Sequence, residues 1–215
     1  MDAGLLPVKA LARAKARLGP DFDDAERQTI ARALLHDALG LCKSVEFLEW
    51  WVVSADEEVQ SAASEAGLKS VADAGSGLND AVAAGVKEAL SAGAGSLTIV
   101  PADVPLAYRG DLVDLLDTGA TSDMVLVPAG DDGGTNALYL SPPNLVEPAF
   151  GPGSLQRHIA LAEERAYRCS ILALPRLALD IDTPADVDAF LARAGEFGGR
   201  TAEILKKLRP AKSSG

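Results

Sequence analysis

Ser96-Leu97-Thr98-Ile99-Val100-Pro101-Ala102-Asp103-Val104-Pro105 sits near the middle of the 215-residue chain. Its first five residues are an apolar, partly β-branched run, which reads as a buried central strand. The run ends in an acidic residue held between two prolines, which fix the loop and remove backbone donors. A buried strand ending in a carboxylate-bearing loop is what a parallel sheet with ligands beyond its strand ends requires. Working outward, the rest of the chain alternates in the same way. Leu5–Val8, Glu49–Ser54, Leu68–Ala72, Met124–Val127, Thr135–Leu140 and Ser170–Leu174 read as further strands. Between them lie helical patterns: one after Asp21–Asp24 with Ile30, Leu34, Ala38 and Leu41 on one face, then 55–66, 79–91 and Arg109–Leu116. A later helix carries Leu155, Ile159, Ala162 and Ala166 on one face, and another is opened by Thr183-Pro184, with Thr as cap and Pro in the first turn. The pattern predicts one α/β domain over 1–207 with a mostly parallel sheet covered on both faces, and a frayed tail over 208–215.

Composition bounds the function. Apolar residues make up 48%, charged residues 24% and aromatics 5%, so the core must be built mainly from Ala, Leu and Val. The net charge of −11 argues against a nucleic-acid partner. No apolar run approaches the length of a membrane span, and the N-terminus lacks the charged and apolar regions of a signal peptide, so a cytoplasmic protein is expected. Cys42 and Cys169 read as two buried free thiols, and two Cys with two His give no zinc spacing.

Five constellations can carry chemistry. Asp103 ends the central strand; a turn or capping role is its plainer reading. Leu179-Asp180-Ile181-Asp182-Thr183 places two carboxylates on one side of an extended backbone. Their repulsion calls for a cation between them, and magnesium suits such a set, although Asp182 as a helix cap is the competing account. Phe150-Gly151-Pro152-Gly153-Ser154 opens a helix and offers N–H groups and a hydroxyl to an anion, with Thr135 nearby, or is a plain loop with Ser154 as cap. Lys9, Arg13, Lys15 and Arg17 reverse the local sign, as a triphosphate would need. Lys9 is the better functional candidate, while a solvated helix face accounts for Arg13 and Arg17. Gly75-Ser76-Gly77-Leu78-Asn79 can cradle a base or ribose, or form an ordinary turn capped by Asn79. His36 reads as solvated, and His158 as either facing the anion loop or lying on a helix surface. Neither GxGxxG nor GxxxxGK[ST] occurs.

Several of these stretches, in this order, resemble the 2-phospho-L-lactate/phosphoenolpyruvate guanylyltransferases of coenzyme F-420 biosynthesis. They are Leu6-Pro7-Val8-Lys9 through Leu18, Gly77-Leu78-Asn79, Pro101–Leu106, Gly134-Thr135-Asn136, Phe150–His158 and Leu179–Pro184. The resemblance implies a glycosyltransferase-A-like, nucleotide-diphospho-sugar-transferase-like three-layer fold with a mostly parallel mixed sheet. It implies Mg2+ held by Asp103, Asp180 and Asp182, and an acceptor phosphate held by Thr135, Gly151 and Ser154. Nucleotide contacts would come from Lys9, Lys15, Gly77 and Asn79, with Lys9, Lys15 and Asp103 as the catalytic groups. The substrates implied are GTP and phosphoenolpyruvate or 2-phospho-L-lactate. The Ala- and Gly-rich composition, as in high-GC bacteria, inclines the reading towards phosphoenolpyruvate. A molybdenum-cofactor-type or sugar-phosphate nucleotidyltransferase and a non-catalytic nucleotide-binding module are the alternatives, and a homodimer stays open.

Overall fold

The structure is a computed structural model that describes residues 1–75, 77–130, 133–195 and 198–209. Ser76 of the glycine loop, the Asp131-Asp132 turn and residues 210–215 of the tail lie outside the described residues. Seven strands form one sheet. They are β1 (Asp2–Pro7), β2 (Glu49–Ser54), β3 (Lys69–Ala72), β4 (Ser96–Ile99), β5 (Met124–Pro128), β6 (Thr135–Leu140) and β7 (Cys169–Ile171). Seven α-helices accompany them among the described residues: α1 (Asp24–Ser44), α2 (Glu57–Glu65), α3 (Leu78–Ser91), α4 (Arg109–Gly119), α5 (Ser154–Arg165), α6 (Pro184–Arg193) and α7 (Gly199–Leu208).

The sheet order is β3-β2-β1-β4-β6-β5-β7. All pairings are parallel except those of β6, which runs antiparallel to both β4 and β5. The mostly parallel mixed sheet expected from the sequence is therefore present. The reversal has a consequence for function: the start of β6 lies at the same end of the sheet as the finish of β1, β4 and β5.

Period-2 alternation divides the apolar residues between two layers. Leu6, Trp50, Val52, Val125, Val127, Ala137 and Tyr139 point into one cluster with α1, α2 and α4. Leu5, Trp51, Val53, Leu126, Leu138 and Leu140 point into the other, with α3 and α5. Gly85 brings α3 close to the sheet, since a Cβ there would stand 2.2 Å from a Leu5 methyl. Beyond the sheet, Ile30 and Leu34 of α1 join Phe22, Ile181, Val187, Phe190, Ala202 and Leu205 in a third cluster. α1 thus buries a broader face than the single stripe expected, and Ala38 and Leu41 are only partly buried against the first cluster.

α7 was not foreseen. It lacks a local side-chain cap, and the Asp37 carboxylate of α1 takes its place, accepting from Arg200 N at 3.0 Å and Thr201 N at 2.8 Å. Arg209 follows α7 and pairs with Asp21 and Asp188. No helix among the described residues is long and apolar enough to cross a membrane.

Candidate active site

The strand ends converge on a cleft of about 380 Å³. Lys9, Lys15, Arg17, Asp103, Thr135, Asn136, Phe150, Gly151, Asp180 and Asp182 are among its walls. Asp103 arrives from the loop after β4 and Thr135 from the start of β6. Asp180 and Asp182 arrive from the segment before α6. The Asp103 carbonyl accepts from Ile181 N at 3.0 Å, so one backbone hydrogen bond joins the two acidic loops. Thr183 caps α6 in a capping box with Asp186, which removes capping as a reason for Asp182.

One oxygen from each of Asp103, Asp180 and Asp182 lies within 4.8 Å of the others. An octahedral shell at about 2.1 Å would place such oxygens about 2.9–4.2 Å apart, so small side-chain adjustments suffice. The donor set is all carboxylate, with no His or Cys, which suits a hard divalent cation such as magnesium or manganese. The residues present fit a metal of this kind.

The cluster contains its own cation. Lys15 has φ 59°, ψ 33°, a left-handed backbone that is uncommon outside glycine. Its Nζ stands 2.7 Å from Asp103 Oδ2 and 3.0 Å from Asp182 Oδ1. Arg17 reaches within 3.5 Å of Asp182, while Lys9 is exposed at the cleft wall. The basic run is not an α-helix, although Arg17 is solvated as expected, with its side chain 72% exposed. The run forms two short 3-10 turns, Leu11–Arg13 and Ala16–Leu18, with Lys15 between them turned in among the carboxylates. Burial alone would lower the Lys15 pKa, but Asp103 and Asp182 together outweigh it and hold the ammonium above its ordinary value. Asp182 is opposed by burial yet held below the usual carboxylate range by Lys15, with Lys9 and Arg17 assisting. Asp180 is pushed up by burial and by the neighbouring carboxylates.

Asn136 escaped the sequence reading as a site residue. Its Nδ2 donates to the Leu177 carbonyl at 2.9 Å and to Asp180 Oδ1 at 3.2 Å, so it holds Asp180 from the side. Its place one residue after Thr135, within Gly134-Thr135-Asn136, was the available signal.

The glycine loop departs from expectation in three ways. Gly153, with φ 69°, occupies the N-cap position of α5, so Ser154 is its first helical residue and its hydroxyl is fully buried. Two N–H groups expected to serve an anion are already used, Ser154 N donating to Gly151 O at 3.0 Å and Leu155 N to Gly133 O at 3.1 Å. Arg157 ties the loop from below, donating to the carbonyls of Pro152 at 2.8 Å and Ala149 at 2.9 Å. The loop therefore presents Gly151 to the cleft beside Thr135 of β6, while Ser154 is not among the cleft's walls.

His158 is not on a helix surface; it is fully buried, with Nδ1 3.1 Å from Thr135 Oγ1. His36 is exposed, as expected. Gly77, with φ 143°, caps α3, and Leu78 rather than Asn79 lines the cleft. The Asn79 side chain clamps Phe150, accepting from its N–H at 2.8 Å and donating to its carbonyl at 3.3 Å. Cys42 is a buried free thiol as expected, whereas Cys169 is half-buried at a sheet edge.

This geometry agrees with comparison to known proteins. The profile of the family described as "Guanylyl transferase CofC like" matches residues 3–213. The phosphoenolpyruvate guanylyltransferase of Sphaerobacter thermophilus is 37% identical over 191 residues, spanning 88% of this chain and 92% of that protein. The 2-phospho-L-lactate guanylyltransferase of Methanothermobacter thermautotrophicus is 35% identical, spanning 95% and 90%. The 3-phospho-D-glycerate guanylyltransferase of Phenylobacterium zucineum is 33% identical, spanning 97% of each. Among solved structures, one described as a nucleotide-diphospho-sugar transferase from Desulfovibrio desulfuricans G20 superposes with a TM-score of 0.79 over 96% of this chain and 94% of the other. At 15% identity that likeness speaks for the fold alone. The chain belongs to the CofC-like guanylyl transferase family.

Proposed function

We propose that the protein transfers GMP from GTP to the phosphate of a small phosphorylated acid, releasing pyrophosphate, as a step of coenzyme F-420 biosynthesis. Phosphoenolpyruvate is the acceptor favoured here, with 2-phospho-L-lactate and 3-phospho-D-glycerate as the alternatives that the relatives' names supply. The observation that carries this reading is the gathering of Asp103, Asp180 and Asp182, the first and last paired with Lys15, at one end of a nucleotide-sized cleft.

The nucleophile is the acceptor's own phosphate, whose second pKa of about 6 leaves it mostly ionised at neutral pH. No general base is needed. The obstacle is the repulsion between two anions. Among the described residues three cations and three carboxylates line the cleft, so those side chains together are formally neutral before any ligand arrives. Asp103, Asp180 and Asp182 would hold a divalent ion, which we take to be Mg2+ and which would supply the positive charge needed for two phosphates to approach. Asn136 keeps Asp180 in place for it. Lys9 at the open wall and Lys15 are assigned to the triphosphate, Lys15 exchanging its carboxylate partners for phosphate oxygens. Gly77 and Asn79 shape the nucleotide side, Asn79 by holding the Phe150 loop. Thr135 and Gly151 face the acceptor phosphate, with Ser154 supporting them from within.

The test is a screen of GTP, ATP and CTP against the three acceptors, read by pyrophosphate release. GTP with one of these acids should give metal-dependent turnover. Asp103→Asn should lower it by at least about 100-fold, equivalent to about 2.7 kcal/mol of barrier, with the melting temperature nearly unchanged. Near-normal activity of the variant at saturating metal would remove Asp103 from the metal site.

A further inference from the structure

Behind the acceptor side of the cleft lies a buried polar group that the transfer chemistry does not use. The His158 ring meets Phe150 edge-on, with centroids 5.8 Å apart and an interplanar angle of 74°. Its Nδ1 touches Thr135 Oγ1 at 3.1 Å, and its Nε2 is buried with no hydrogen-bond partner among the described residues. Burial, with Arg157 adding to it, holds the pKa down to about 4, so near pH 7 the ring is neutral and carries a single N–H.

That hydrogen has two places to sit. On Nε2 it would be a buried donor with nothing to bond, the rarer kind of unsatisfied group. Nδ1 would then be an acceptor and would take the hydrogen of the Thr135 hydroxyl. On Nδ1 it donates to Thr135 Oγ1 instead, and the threonine hydrogen is left to point into the cleft that Thr135 lines. Only the second arrangement serves a phosphate, because phosphate oxygens accept hydrogen bonds and at neutral pH have almost nothing to donate. Ser154, one helical turn earlier in α5, is buried with its Oγ likewise unpartnered, so among the described residues its hydroxyl does not draw the ring's hydrogen towards Nε2.

We infer that His158 is a positioning residue: its Nδ1–H bonds Thr135 Oγ1 and so orients the threonine hydroxyl as a donor to the acceptor's phosphate. The inference rests on the acceptor side proposed above. A neutral imidazole sets this direction without adding charge beside the carboxylate cluster, and the Phe150 ring covers one edge of it.

Two measurements test the inference. The first is steady-state kinetics with GTP and whichever of the three phosphorylated acids the wild type converts fastest. The variants are Thr135→Val, His158→Leu, His158→Asn and the Thr135→Val/His158→Leu double mutant. His158→Leu should raise the acceptor KM about tenfold with the GTP KM within about twofold. His158→Asn, whose amide N–H stands near the place of Nδ1, should recover most of the loss. In the Thr135→Val background His158→Leu should add less than about twofold, since its target hydroxyl is gone. The second measurement is long-range 1H–15N NMR of the ligand-free wild type, where the hydrogen should reside on Nδ1. An unchanged acceptor KM in His158→Leu, multiplying effects in the double mutant, or a hydrogen on Nε2 would overturn the inference. If His158→Leu does not fold, the asparagine variant and the NMR spectrum decide. A wild type that releases no pyrophosphate with any acceptor would sink the guanylyl reading alone, and the tautomer measurement would still judge His158.

Discussion

Lys15 carries much of the site's electrostatics through one unusual backbone angle. Its ammonium neutralises part of a carboxylate cluster whose members would otherwise repel one another. Replacing it by Met should therefore destabilise the metal-free protein by about 1–2 kcal/mol, or about 3–6 °C in melting temperature in EDTA. Added Mg2+ should restore more stability to the variant than it gives the wild type, because the ion no longer competes with Lys15. Equal gains in both proteins would show that the ion binds elsewhere. His158 gives a second expectation. Its folded pKa of about 4 lies below its ordinary value of 6.5, so the unfolded chain binds the extra proton first as pH falls. Its contribution is fully present above pH 6.5 and is lost towards pH 4, by at most about 3 kcal/mol. Urea denaturation at pH 7.5 and 5 should show a smaller acid loss in His158→Leu than in the wild type. At this scale the three aspartates were legible only as a set, since each alone reads equally well as a turn or capping residue, while two acidic segments together call for a cation between them. The inward turn of Lys15 was not, since it depends on a single φ. The burial of His158 had a signal: Ser154, His158 and Ala162 recur at i, i+4 and i+8, and that stripe, rather than Leu155/Ile159/Ala166, holds the fully buried positions of α5.

At the scale of elements, each strand read from the sequence has its counterpart, with ends shifted by a few residues. β1 begins at Asp2 rather than Leu5, and β7 is shorter than the 170–174 run. Strand direction is harder to read from apolar patterning. The clue for β6 lies in its connection: only residues 129–134 separate it from β5, too short for a parallel crossover. Helix α7 was missed because its anchor is remote in sequence. Gly198 offers no capping side chain, and the carboxylate that receives its first N–H groups belongs to Asp37, in α1. Asp37→Ala should accordingly cost about 1–2 kcal/mol by denaturant titration, with amide exchange accelerating first in residues 199–208. Loss confined to α1, with 199–208 still protected, would count against this anchoring.

At the scale of the molecule, the charge distribution matters more than its total. A chain of net charge −11 disfavours anions at long range, yet the described side chains of its cleft walls are together formally neutral. A divalent ion held by the three aspartates would add the positive charge that the two phosphorylated substrates of the proposed reaction need. The sheet provides the geometry, since the ends of β1 and β4 and the start of β6 meet at one rim with the segment before α6. The most direct check is mass spectrometry of the product formed from GTP with phosphoenolpyruvate, 2-phospho-L-lactate and 3-phospho-D-glycerate in competition, with and without Mg2+. The expected result is a single adduct of GMP with one of these acids, foremost phosphoenolpyruvate, together with equimolar pyrophosphate, formed only with the metal. GTP recovered intact, or hydrolysed without any adduct, would contradict the assignment.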